Sequence, residues 1–155
     1  MIIGHLPAGY LLASALDKSF DEDPLIWWAI LVGAVLPDLD MVWFFLVDRG
    51  AVHHHSYITH DPTLWVAVFL LGLTLSSRAL IGLGLGTLLH VALDTPLGAI
   101  CWGYGNLSLC GPAIVVPATQ SHWILSFLLH WTFAVELVVV ALAIRVYWKR
   151  PRSSE

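Results

Sequence analysis

Seven side chains in this sequence are of the types that bind metals or move protons, and most come in pairs: His5, Asp38 with Asp40, His55 with His60, and His90 with Asp94. His90 and Asp94 are four residues apart, so on a helix both project from one face. Asp38 and Asp40 are two apart and would point away from each other on a regular helix. Pro37 disrupts the turn before them, which allows the backbone to aim both carboxylates at one place. The five-residue step from His55 to His60 is awkward on a helix and natural across a loop; His53 falls outside it. Imidazole nitrogen and carboxylate oxygen are the donors a divalent ion such as zinc takes.

Charge bears on how many ions such a group would hold. The three aspartates sum to −3, and ligating histidines are neutral, so one divalent ion leaves −1 and two leave +1. An open catalytic zinc typically uses three protein ligands and a water. Seven candidates therefore fit a two-ion site better than a closed single one. In such a site Asp40 or His60 is the expected general base for a metal-activated water. Taken singly, each piece has a plainer meaning: a lone histidine, a Pro-Asp turn, a solvated His-rich loop. Their convergence at one depth outweighs those meanings.

The elements that must position them are apolar. Of 155 residues 58% are hydrophobic and only 12% charged, with a mean hydropathy of +0.79. Soluble domains carry about a quarter of their residues as charged side chains. The composition thus predicts an all-α integral membrane bundle of four to five apolar helices, a single domain over residues 1–148 with a basic cytoplasmic tail at 149–155. The apolar segments are Ile2–Leu16, Leu25–Val47, Thr63–Ser76, Ala79–Trp102 and Trp123–Trp148. The second, fourth and fifth reach the ~20 residues that span hydrocarbon as helix. Ala13-Ser14-Ala15 resembles a cleavage site, but no Lys or Arg precedes the first apolar run and Pro7 interrupts it, so a retained helix is expected. A net charge of −4 gives no reason to expect nucleic-acid binding.

If all five segments cross, the positive residues set the orientation. Lys18, Arg78, Arg145, Lys149, Arg150 and Arg152 then lie on the cytoplasmic side, and Arg49 alone lies outside. That map, drawn without the seven site candidates, places all of them toward the outer face. It predicts a multi-pass protein of the inner (cytoplasmic) membrane.

Gly4-His5-Leu6, Leu36-Pro37-Asp38-Leu39-Asp40, Thr59-His60 four residues beyond His55, and His90-x3-Asp94-Thr95-Pro96 occur in that order over roughly residues 1–105. The ordered set resembles the YdjM-like (LexA-binding) family of inner-membrane-associated metal-dependent hydrolases. The resemblance implies that His5, Asp38, Asp40, His55, His60, His90 and Asp94 form the metal site. In the family Arg commonly follows the first loop histidine and Ser the second. This chain has Ser56 and Asp61 instead, so it lacks a guanidinium fork for a phosphate.

The leading expectation is a metal-dependent hydrolase of an ester or phosphoester, with a lipid or lipid-linked phosphate as substrate because the site lies at headgroup depth. A metal transporter or sensor is the alternative; against it, only His130 and Glu136 lie deep along the remaining path. A catalytically inert membrane partner protein is the third reading. Gly82-xxx-Gly86 predicts a close helix–helix contact, and Glu136 a protonated, hydrogen-bonded carboxyl between helices. His122 is an outlying candidate ligand, and Cys101 and Cys110 share a loop where a disulfide is an open alternative.

Overall fold

In a computed structural model that describes residues 3–20, 23–49, 51, 54–102 and 111–150, the regular elements are seven α-helices and short 3-10 turns, with no strand among the described residues. They are α1 (His5–Leu16), α2 (Pro24–Gly33), α3 (Asp40–Leu46), α4 (Pro62–Thr74), α5 (Arg78–Asp94), α6 (Trp123–Leu128) and α7 (Trp131–Lys149). Local chemistry explains several boundaries. Pro24 and Pro62 open α2 and α4 at the position where a missing N–H costs nothing, and Asp23 and Asp61 accept from the Leu25 and Thr63 amides as N-caps. Asp61 thus starts α4. Ser76 takes a left-handed conformation (φ 51°) after α4, and the Ser77 hydroxyl oxygen accepts from the Leu80 amide to start α5 at once.

α5 is the centre of the fold: α1, α2 and α4 all pack on it, and α7 packs on α1. The contact with α2 is backbone to backbone. A Cβ on Gly86 would lie 2.2 Å from the Ile30 carbonyl oxygen, and one on Gly33 would lie 2.5 Å from that of Leu83. The helices approach this closely because both positions are glycine.

The all-helical expectation holds, while the crossing elements are fewer than the apolar runs suggest. Among the described residues α7 alone is long and apolar enough to cross a membrane by itself. The run Leu25–Val47 is broken at Pro37. Its halves Pro24–Gly33 and Pro37–Leu46 pass the same test only as a pair, bent by 47°. The run Ala79–Trp102 stops being helical at Asp94, because Pro96 offers no N–H and disfavours helical backbone before it. That leaves α5 with 17 residues, about 25 Å at 1.5 Å per residue. The last run is split at Leu129–His130, where His130 is extended (φ −83°, ψ 147°).

Burial is distributed unlike that of a water-soluble protein. His60, His90, Asp94 and Glu136 are among the largest fully buried side chains, while Leu46, Leu129 and Val115 are more than 70% exposed. Only 17% of the α7 span is buried, and Val135, Leu137, Val138, Leu142 and Ile144 stand about half exposed along it. A core helix of a soluble domain would bury those side chains. An apolar surface this extensive marks contact with lipid or with another chain.

Candidate metal centre

Asp38, His60, His90 and Asp94 each offer one ligand atom, and these four atoms lie within 4.8 Å of one another. They come from three places in the chain. Asp38 sits in the 3-10 turn Pro37–Leu39 between α2 and α3, His60 in the turn Ile58–His60, and His90 and Asp94 on the last turns of α5. His90 Nε2 is 3.1 Å from Asp94 Oδ2 and 3.5 Å from Asp38 Oδ1. His60 Nε2 is 3.7 Å and 3.8 Å from the same two oxygens. Two carboxylate oxygens and two imidazole nitrogens thus face a common point.

Both imidazoles are oriented from behind. The α-helical ladder stops at Pro37, and the Ala34 carbonyl accepts from His90 Nδ1 at 2.8 Å. A carbonyl can only accept, so Nδ1 carries a proton, and Nε2 is the nitrogen turned to the cluster, where it would give its lone pair to a bound ion. Asp40 does the same for His60: its Oδ2 is 2.8 Å from His60 Nδ1, and the Thr59 hydroxyl donates to that oxygen. Outer carboxylates and carbonyls of this kind fix the tautomer and raise the basicity of a ligating histidine. Burial first, then the neighbouring His55 and His90, push the His60 imidazole down to about 4, so it is neutral near pH 7 and able to bind a cation.

The other expected residues fall around this core. His5 lies between the carboxylates, with Nδ1 3.5 Å from Asp38 Oδ2 and Nε2 3.1 Å from Asp94 Oδ1. It stacks on His90 at 3.8 Å between ring centroids. Its ring nitrogens and His90 Nε2 are buried without a well-formed hydrogen bond, although the Asp38 and Asp94 carboxylates face them. Such lone pairs and N–H groups are costly to leave alone in a protein interior, and a cation bound among them satisfies the set. His55 Nε2 reaches Asp94 Oδ2 at 3.6 Å. Asp38 and Asp94 therefore each turn one oxygen to His60 and His90 and the other to His5. Asp38 is the exposed member, 37% against 2% for Asp94, so the site opens on its side.

Asp40 occupies a different place from the other candidates, on the rear of His60 rather than at the common point. His122 is apart from the cluster and caps α6, accepting from the Ile124 amide. His130 bonds to the Thr132 hydroxyl. His53, Cys110, Arg152 and the rest of the tail past Arg150 lie outside the described residues, and of His54 only the backbone is described. Cys101 is disulfide-bonded, and Cys110 is the chain's other cysteine.

No family model matches this chain, and neither a curated protein nor a solved structure matches it. The site therefore stands on its own geometry.

Three supporting residues lie outside the seven candidates, and of them Thr59 alone falls within the ordered motifs. Gly98 lies against His55: a Cβ there would sit 2.6 Å from the ring Cε1 and Nδ1. Thr59 holds Asp40, and its own carbonyl accepts from the Trp65 indole at 2.7 Å. Glu136, in the second turn of α7, accepts from the backbone amides of Ile3 at 2.7 Å and Gly4 at 3.1 Å. It anchors the strand of chain that delivers His5. A glycine two residues after a Thr-Pro pair and a lone acid in an apolar helix are the only sequence signals of the first and last.

Proposed function

We propose that this protein is a membrane-embedded, metal-dependent hydrolase of an ester or phosphoester. The observation that supports it best is the buried quartet of Asp38, His60, His90 and Asp94, with both imidazoles held by groups behind them and Asp38 left open. Two carboxylates balance the charge of one divalent ion. A mixed nitrogen–oxygen set of this size favours zinc, with Asp38 and the lone pairs of His60 and His90 as ligands. The free sides of Asp38 and Asp94, together with His5, offer a second position. A divalent ion supplies Lewis acidity, making water nucleophilic at neutral pH and polarising the oxygen of the bond to be cleaved. His55, at the edge of the quartet, is the protein group placed to exchange a proton with the leaving oxygen.

In this reading α7 and the bent α2–α3 pair cross the bilayer of the inner membrane, the shorter helices complete the bundle, and the cluster faces outward with the C-terminus cytoplasmic. The ordered motifs that resemble those of the YdjM-like family would fit that assignment. The test is direct: the purified protein in lipid nanodiscs is assayed for metal content and for cleavage of ester and phosphate-monoester probes. Activity should disappear with a chelator, return with zinc, and be lost in His90→Ala and Asp94→Asn together with bound metal. Metal-loaded protein that cleaves no member of a broad panel refutes the hydrolase assignment, and protein that binds no metal refutes the centre itself.

A further inference from the structure

A cavity of about 690 Å³ opens beside the metal centre. Among the described residues of its wall, the titratable side chains are Asp38 and His55, both at the cluster. The rest is almost wholly apolar, with Leu97, Ile114, Phe127 and Phe133 among the lining residues. The stretch 112–120 along its wall is tied down by hydrogen bonds from two of its amides, Ile114 to the Pro96 carbonyl at 2.7 Å and Gln120 to the Ser126 hydroxyl oxygen at 3.0 Å. Trp123 in its wall, and Leu39 and Val42, chain neighbours of the lining residues Asp38 and Met41, are each more than half exposed. The volume is that of an ordinary ligand pocket, and most such pockets mix apolar walls with a few polar groups. Here the two titratable groups both belong to the metal cluster, and the Ser126 hydroxyl is taken up by the Gln120 amide.

The geometry points to a membrane lipid as the substrate, its hydrocarbon chain in this cavity and its first ester or phosphoester linkage at Asp38 and His55. This rests on the hydrolase reading for the reaction, and on the cavity alone for the chain. A small polar substrate would leave the apolar wall without a counterpart. A purely apolar ligand would leave the Asp38 carboxylate facing hydrocarbon, which is unfavourable. An amphiphile matches both ends. The chain would bind by burial of its methylenes, so affinity should climb with chain length. The linkage would be presented at the exposed side of the centre, the side on which Asp38 leaves room.

The experiment uses inert analogues, so that binding is read without turnover. Zinc-loaded full-length protein in nanodiscs is titrated with ethyl and dodecyl phosphonate, and in parallel with acetohydroxamate and dodecanoyl hydroxamate. Wild type is compared with Ala118→Phe and Ile114→Trp, which fill the cavity; both must retain metal and thermal stability, and either one suffices. The dodecyl ligands should lose at least about tenfold in affinity in the filled variants, while the two-carbon ligands bind all forms alike. Comparing variants cancels partition into the bilayer. The phosphonate and hydroxamate arms separate a phosphoester from an acyl ester. Equal dodecyl binding in wild type and filled variants overturns the proposal, as does dodecyl binding that is unchanged when zinc is removed. If the binding pattern is as expected but no long-chain ester or phosphoester is cleaved, the hydrolase reading fails and the lipid site stands.

Discussion

Replacing Asp40 by Asn tests whether this carboxylate orients a ligand or is one itself. Asp40 is 8% exposed and His60 1%, so their 2.8 Å contact is shielded from water. Asparagine keeps the shape and one acceptor oxygen, which can still take the His60 Nδ1 proton. It removes the negative charge that raises His60 basicity, and it weakens the hold of the Thr59 hydroxyl. Loss of such an outer partner typically costs ~10–100-fold in metal affinity, which is about 1.4–2.8 kcal/mol at 1.4 kcal/mol per tenfold. Asp38→Asn, which removes an oxygen from the common point, should cost more. Zinc affinity is measured by competition with a chromophoric chelator, after the metal-free variants are shown to unfold at similar temperatures. An Asp40→Asn affinity equal to wild type would refute the orienting role. A loss matching that of Asp38→Asn would make Asp40 a ligand.

Other consequences follow from the same contacts. Gly98→Ala should displace His55 and destabilise the fold by about 1–3 kcal/mol, as overpacking does; denaturant unfolding checks it, and in a His55→Ala background the penalty should shrink. Glu136→Ala leaves two backbone amides without their acceptor, at about 1–3 kcal/mol for each group left buried and unsatisfied, and should weaken zinc binding through His5. Glu136→Gln, which retains a carbonyl acceptor, should recover most of both losses, and a failure to do so in binding would show that the charge matters more than the anchor. The His60 imidazole titrates near 4 in the fold against about 6.5 when free. The unfolded chain therefore takes the proton first, and the metal-free protein should lose stability as pH falls from about 6.5 to about 4. Melting temperatures across that range should fall less steeply in His60→Gln.

The convergence of the site was legible because its largest part is local. His90 and Asp94 share a helix face by spacing alone, and Pro37 marks where a helix must change direction. The division of labour between Asp38 and Asp40 was not legible. A 3-10 turn followed at once by α3 puts Asp38 into the cluster and Asp40 behind His60, and that difference depends on where His60 arrives from a loop twenty residues away. The partners of Glu136 lie 132 and 133 residues distant along the chain, beyond any pattern of spacing. Counting apolar residues overestimated the number of crossings for a different reason. Hydropathy records how greasy a run is, while Pro37, Pro96 and the extended His130 decide where its backbone stops being helical.

The bond from Glu136 to the amides of Ile3 and Gly4 also orders events during synthesis. His5 is among the first of the site's residues to leave the ribosome, yet the segment carrying it gains its anchor only when α7 has been made and has packed against α1. Until then the stretch before α1 lacks the acceptor that holds it, and the quartet has an unfinished neighbour. Completion of the centre thus reports that the last helix has reached its place. A nascent chain stalled before residue 136 would carry every candidate ligand and still lack the acceptor that holds the stretch leading into His5.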